Sequence, residues 1–223
     1  MTRGERVQAG VIFDMDGVVI DSEGLWKRAA CELLAQWGVT VSAEEYARGW
    51  IANGQGPEAA VKKYGLPITA EEFRRRRAPI VERLVTTEAE LIPGARAALE
   101  RLSARFPLAL ATNSAAALVG PVFDKYGLRP FFKDVITRER YAKAKPEPDA
   151  FLAAAAALGL PPARCVVIED AERGVVAARR AGTPCIAVPN EWTRWLDFSQ
   201  ADRVLSSLDE VTCELVLELA GRA

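Results

Sequence analysis

Short apolar runs that break off at polar clusters recur along this chain. Gln8 to Phe13 (QAGVIF) runs into DMDG, Leu108 to Ala111 (LALA) into Thr112, Cys165 to Ile168 (CVVI) into Glu169, and Cys185 to Val188 (CIAV) into Pro189; Asp134 to Thr137 (DVIT) has the same character. Runs this short and this apolar are the signature of strands buried on both faces. Between them lie helical patterns at Ala95 to Leu102 after Pro93-Gly94, Ala115 to Tyr126, Asp149 to Leu158, and Gly174 to Ala181 closed by Gly182. Strand alternating with helix predicts an α/β fold, a doubly wound parallel sheet of Rossmann-like form. Ligands of such sheets collect beyond the carboxyl ends of the strands, and three of these runs deliver a polar cluster there.

The alternation stops between Ser22 and about Glu90. Trp26, Ala29, Ala30, Leu33, Leu34 and Trp37 recur at helical spacing up to a stop at Gly38, and helical stretches follow at Glu44 to Trp50, Glu58 to Tyr64 and Ala70 to Val85 with no strand-like run among them. This predicts an all-helical domain, residues 22–90, inserted into a core of residues 1–21 and 91–223 through joints near Asp21 and Leu91, where it can act as a lid. The run Arg74 to Arg77 on its last helix reads as a solvated face, because four consecutive side chains point around most of a helix.

Charge and composition narrow the chemistry. With 29 basic against 30 acidic residues there is no broad positive field to hold a polyanion, so nucleic acid is not an expected partner. The N-terminal MTRGERVQAGVIF has too short an apolar run for a signal peptide or a membrane span. Cys31, Cys165, Cys185 and Cys213 are scattered without a CxxC pair, which fits reduced thiols in a cytoplasmic protein, with a monomer as the default state. Histidine is absent, so Ser-His-Asp and Cys-His catalysis are excluded, and any acid or base must be a carboxylate, lysine, tyrosine, cysteine or metal-bound water.

The polar clusters supply candidates. Asp14 and Asp16 in DMDG put two carboxylates at one strand end, and Gly17 permits a sharp departure into the loop. Thr112-Asn113-Ser114 sits where a helix begins, an arrangement that serves equally as an anion site or as an ordinary cap. Lys145 lies in AKPEPD, where two prolines stiffen the backbone. Glu169-Asp170 adds a second acidic pair, and four carboxylates suit a hard divalent cation bound through oxygen. Each cluster alone has a bland explanation as a turn, a cap or a surface lysine; their order and context together do not.

That order resembles the haloacid dehalogenase superfamily of phosphatases over nearly the whole chain. VIFDMDGVVIDSE is similar to its first motif, LALATNS to the second, KPEPD to the third and VVIEDAERGVVAARRAG to the fourth, and the helical insertion resembles the cap of the β-phosphoglucomutase-like members. The resemblance implies a magnesium-dependent phosphomonoesterase acting on a small phosphorylated metabolite, a sugar phosphate first among them, through an aspartyl-phosphate. It implies Asp14 as nucleophile and Asp16 as general acid and base. Mg2+ would be held by Asp14, the carbonyl of Asp16, Asp170 and, directly or through water, Glu169. Thr112, Lys145 and the N–H of Asn113 would hold the phosphate. The alternatives are a mutase-type phosphotransferase and a non-catalytic phosphate-binding regulator. The first is disfavoured because the cap histidine of the mutases is missing and the loop Asn53 to Pro57 lacks their arginine, and dehalogenation is disfavoured because Asp16 is present. For substrate choice, Ser22, Glu23, Trp50, Asn53 and Gln55 are candidates to line the cleft, while Trp192 and Arg194 in PNEWTR receive no role.

Overall fold

The computed structural model describes residues 9–46, 49–50 and 56–221. Its main sheet contains β1 (Gly10–Phe13), β4 (Leu108–Ala111), β5 (Phe132–Ile136), β6 (Cys165–Glu169), β7 (Cys185–Ala187) and β8 (Arg203–Val204) in the order β5-β4-β1-β6-β7-β8, every pair parallel. The first strand is therefore central. The chain crosses to β4 on one side of it and later to β6 on the other, so the switch point of the sheet lies at the end of β1.

Both faces of the strands are covered, which is why their sequences do not alternate between polar and apolar. Val11, Phe13, Leu108, Leu110, Val166 and Ile168 point into one core, under α5 (Ala95–Ser103), α6 (Ala116–Tyr126) and α9 (Cys213–Gly221). Ile12, Ala109, Ala111, Cys165 and Val167 point into the other, under α7 (Asp149–Leu158) and α8 (Glu172–Ala181). The alanines of α7 allow close approach, and Ala150, Ala154 and Ala155 are fully buried there with Phe151.

The helical cap comprises α1 (Glu23–Leu34), α2 (Ala43–Tyr46), α3 (Pro57–Tyr64) and α4 (Ala70–Glu88). Ala30, Leu33, Leu34, Tyr46, Leu66 and Phe73 form its own apolar cluster. Gly38 ends the first helical stretch at φ +68°, a left-handed turn that glycine adopts without strain. Thr69 caps α4 by accepting the N–H of Glu72 at 3.1 Å.

Two features depart from the sequence pattern. Ile20–Asp21 (β2) and Glu90–Leu91 (β3) pair as an antiparallel ribbon at the two joints, each too short to leave a periodic signature. The arginine run is also not one solvated face. Arg74, Arg75 and Arg76 are exposed and paired with Glu58 or Glu72, whereas Arg77 turns inward over the rings of Trp26, Trp50 and Phe73 at 5.1, 5.8 and 5.9 Å. Of the helical stretch expected over Glu44 to Trp50, α2 covers Ala43–Tyr46 and residues 49–50 are helical as well, while residues 47–48 lie outside the described part.

Candidate active site

The central strand ends at Asp14, whose N–H still donates to Ile168 O at 3.0 Å, and the chain then winds tightly. Met15 O accepts the N–H groups of Val18, Val19 and Ile20, and the Met15 side chain is buried in the main apolar cluster. Gly17 follows at φ +82°, and a Cβ there would overlap the Asp170 carboxylate. The loop thus brings the end of β1 against the end of β6.

Three buried carboxylates, Asp14, Glu169 and Asp170, offer oxygens within 4.8 Å of one another. Lys145 reaches them from the loop before α7. Its Nζ donates to Asp14 Oδ1 at 2.6 Å, to Glu169 Oε1 at 2.7 Å and to Ala111 O at 2.9 Å, and lies 4.5 Å from the ring centre of Phe151. A cis peptide joins Lys145 to Pro146. Glu169 is committed on both oxygens, since Oε2 accepts the N–H groups of Asp170 (3.0 Å) and Ala171 (3.3 Å).

One ammonium, even with the Arg173 guanidinium acting on the same group from nearby, does not balance three carboxylates. Burial, reinforced by repulsion from Glu169 and Asp16 and opposed by Lys145, pushes the Asp14 carboxyl up to about 7. Burial, with Glu169 and Asp14 adding to it, holds Asp170 well above the carboxylate range. Burial works to neutralise Lys145, but Asp14 and Glu169 overcome it and hold the ammonium above its usual range. This is a site with surplus negative charge and hard oxygen donors, and a divalent cation fits it.

Asp16 faces elsewhere. Its Oδ1 accepts from Ser22 Oγ (2.6 Å) and Trp26 Nε1 (3.3 Å), and its Oδ2 from Ser114 Oγ (2.7 Å) and Thr112 Oγ1 (3.3 Å). Thr112 Oγ1 also accepts the N–H of Ser114. The carbonyl of Asn113's side chain accepts from Tyr141 Oη (2.7 Å) and from the N–H of Lys145 (3.1 Å), which ties the second cluster to the lysine loop. The predicted Asp14, Asp16, Thr112, Asn113, Lys145, Glu169 and Asp170 are therefore gathered at one sheet edge, but in two groups: carboxylates around Lys145, and hydroxyls around Asp16.

Comparison with known proteins gives this constellation a family. Residues 9–182 match the haloacid dehalogenase-like hydrolases. The chain belongs to that family. It is 32% identical over 220 residues to hexitol phosphatase B of Escherichia coli strain K12, covering 92% of this chain and 95% of that protein. It is 31% identical over 215 residues to the bifunctional riboflavin kinase/FMN phosphatase of Arabidopsis thaliana, covering 94% of this chain but only 56% of that longer protein. The structure of CbbY from Rhodobacter sphaeroides in complex with phosphate superposes with a TM-score of 0.80 at 28% identity, over 95% of this chain and all of that one. A helical cap on this fold is shared with a putative β-phosphoglucomutase of Thermotoga maritima (TM-score 0.69 at 24% identity), and the chain is an enzyme of the phosphatase kind.

Several residues of the hydrolase's site were not singled out by the motifs. Trp26 counted as a cap-core apolar residue, yet its indole N–H reaches Asp16. Gly174 opens room for Glu169, because a Cβ there would overlap the Glu169 carboxyl. Asn190 Nδ2 donates to Asp170 Oδ2 at 2.8 Å. Of the cleft candidates, Ser22 binds Asp16, and Glu23 accepts from Tyr46 Oη at 2.9 Å, with burial raising its carboxyl. Trp50 stacks on Tyr46 at 5.5 Å. Trp192 packs edge-on against Tyr46 at 6.4 Å, and Arg194 lies over Trp195. Asn53 and Gln55 lie outside the described residues.

Proposed function

We propose that this hydrolase is a magnesium-dependent phosphomonoesterase for a small phosphorylated metabolite, a sugar phosphate first, working through an aspartyl-phosphate on Asp14. The observation that carries the reading is the buried trio Asp14, Glu169 and Asp170 clamped by Lys145 at the sheet's switch point. The named phosphatases among its relatives support the substrate class.

Asp14, Asp170 and the carbonyl of Asp16 would hold Mg2+, with Glu169 reaching it through water because its two oxygens already serve Lys145 and backbone amides. Asp16 O accepts no hydrogen bond among the described residues. When bound, the cation offsets the charge of an anionic nucleophile meeting an anionic ester and draws the phosphoryl group into line. Lys145 stabilises negative charge on the phosphoryl oxygens, and the Asn113 N–H and the Thr112 hydroxyl, turned from Asp16, hold them in place.

An Asp14 oxygen attacks phosphorus, the bond from phosphorus to the leaving oxygen breaks, and Asp16 gives its proton to the departing alkoxide. Water then attacks the aspartyl-phosphate, Asp16 takes the water's proton, and the phosphorus bond to Asp14 breaks to release phosphate. Ser22, Thr112 and Ser114 suit this cycle because a hydroxyl can donate to the carboxylate form of Asp16 and accept from its acid form.

Residues 22–90 serve as the cap that selects the substrate over a core of residues 1–21 and 91–223. The four cysteines are free thiols, which supports a reducing, cytoplasmic setting, and a monomer is sufficient for the reaction because all the groups named come from one chain. Among the described residues no helix is long and apolar enough to cross a membrane. Phosphate release from a panel of hexose, hexitol and nucleotide monophosphates, with Mg2+ or with chelator, tests the proposal. Mg2+-dependent release that vanishes in Asp14→Asn is expected; release that survives either chelation or Asp14→Asn would overturn it.

A further inference from the structure

The loop after β7 contains a side chain that the reaction scheme leaves unused. Asn190 is wired on all sides of its amide. Nδ2 donates to Asp170 Oδ2 at 2.8 Å and to Gly17 O at 3.3 Å, while Oδ1 accepts the Trp192 N–H at 2.9 Å and the Thr193 hydroxyl at 3.3 Å. Its own N–H donates to Thr193 Oγ1 at 3.0 Å, and its carbonyl accepts from the N–H groups of Thr193 and Arg194. An amide with two donors and two acceptor lone pairs has no capacity left over, so its orientation is fixed by the network and not by choice of flip.

Two consequences follow for Asp170. One carboxylate oxygen is engaged by Asn190, which constrains the plane of a carboxylate that lies within 4.8 Å of the oxygens of Asp14 and Glu169. The same amide ties the DMDG loop, through Gly17 O, to the metal-binding pair at the end of β6. The absence of a side chain at Gly17 is what admits this contact, since a Cβ there would stand 2.8 Å from Asn190 Nδ2 and overlap Asp170.

We propose that Asn190 is a positioning residue for the cation site: it orients Asp170, and it holds Trp192 where the indole docks on Tyr46 of the cap, so that one turn braces both the metal-binding edge and the cap–core contact. The proposal rests on the magnesium reading above and deepens it. Partners that orient a ligating carboxylate typically change metal affinity by about 10–100-fold when removed. A residue that only held the turn together would change stability and leave affinity alone.

The test is calorimetric titration of Mg2+ into chelator-treated protein, with no substrate present. Asn190→Ser keeps a side chain able to cap the turn but too short to reach Asp170, and Thr193→Val loosens the turn from its other side while sparing the Asn190–Asp170 bond. Binding of Mg2+ to Asn190→Ser is expected to be about 10–100-fold weaker than to the parent, with that of Thr193→Val close to the parent's. In turnover, Asn190→Ser is expected to recover most of its kcat at saturating Mg2+. Parent-like affinity in Asn190→Ser, or an equal loss in Thr193→Val, would overturn the assignment of Asn190. A parent protein that binds no Mg2+ would instead overturn the metal reading on which it stands.

Discussion

Asp14 is placed where its charge is unwelcome to the fold and useful to the proposed reaction. Its carboxyl is pushed from 3.8 up to about 7 by burial and by its acidic neighbours, with Lys145 pulling the other way. Each unit of such a shift corresponds to about 1.4 kcal/mol between the two protonation states, so an ionised Asp14 weakens the cation-free fold by a few kcal/mol. Asp14→Asn removes the charge and keeps the shape. Turnover should be abolished, while the melting temperature in chelator at pH 8 should rise above the parent's; a lower one would mean that the Lys145 contact outweighs the repulsion. Gly174 makes a complementary case. Gly174→Ala would set a methyl into the Glu169 carboxyl, which displaces the side chain that receives Lys145 and should lower kcat by at least about tenfold and stability by about 1–3 kcal/mol, the usual range for overpacking, as read by kinetics and denaturant melts.

At the scale of elements, the first cap helix contributes directly to the surroundings of Asp16, the proposed acid–base group. Ser22 precedes α1 and Trp26 lies in its first turns, so Asp16 is held jointly by the cap helix and by the loop after β4. Trp26→Phe keeps an aromatic ring near the Arg77 guanidinium and deletes the N–H together with part of the indole's volume. A hydrogen bond to a charged group contributes about 1.5–3 kcal/mol, so kcat for an alkyl phosphate should fall by roughly tenfold or more. For para-nitrophenyl phosphate, whose leaving group needs no proton, kcat should stay within about threefold. Equal losses on both substrates would place Trp26 in packing alone.

The core strands and the helices around them were readable because each is a doubly buried or one-faced segment with its own local pattern. Leu108–Ala111 and Asp149–Leu158 fall where the pattern puts them. The ribbon of β2 and β3 and the edge strand β8 were not readable, since two residues carry no period. Of the gathered residues, the carboxylates, Thr112 and Asn113 were legible from their position at strand ends, and Lys145 from the two prolines that stiffen its loop. The indole of Trp26, the space at Gly174 and the amide of Asn190 were not, because each acts through a contact that a one-dimensional pattern cannot show; Asn190 meets Gly17 across 173 positions of sequence.

For the molecule as a whole, cap and core are not independent bodies. Val81, Leu84 and Val85 of α4 share the larger apolar cluster with the sheet, Lys125 and Tyr126 of α6 donate to the carbonyls of Thr87 and Ala89, and Trp192 of the core joins the cap cluster. Cation binding at the sheet edge should therefore register in the stability of the entire chain, and its pH dependence has a definite sign. In chelator, a folded-state value of about 7 against an unfolded value of 3.8 means that the Asp14 contribution is fully present below 3.8 and is lost as pH rises through about 7. On the proposed reading Mg2+ would bind the ionised carboxylates only, so protons would compete with it, and its stabilisation would grow over the upper part of the same interval. The two melting curves should diverge between pH 5.5 and 8. At a free Mg2+ concentration about 100-fold above its dissociation constant the stabilisation is about 2.7 kcal/mol, or roughly 5–10 °C for a chain of this size. Thermal melts at half-unit pH steps, with Mg2+ or with chelator, measure the gap directly. A gap that stays constant across the interval would mean that the cation does not neutralise Asp14, and would move the proposed metal site away from that residue.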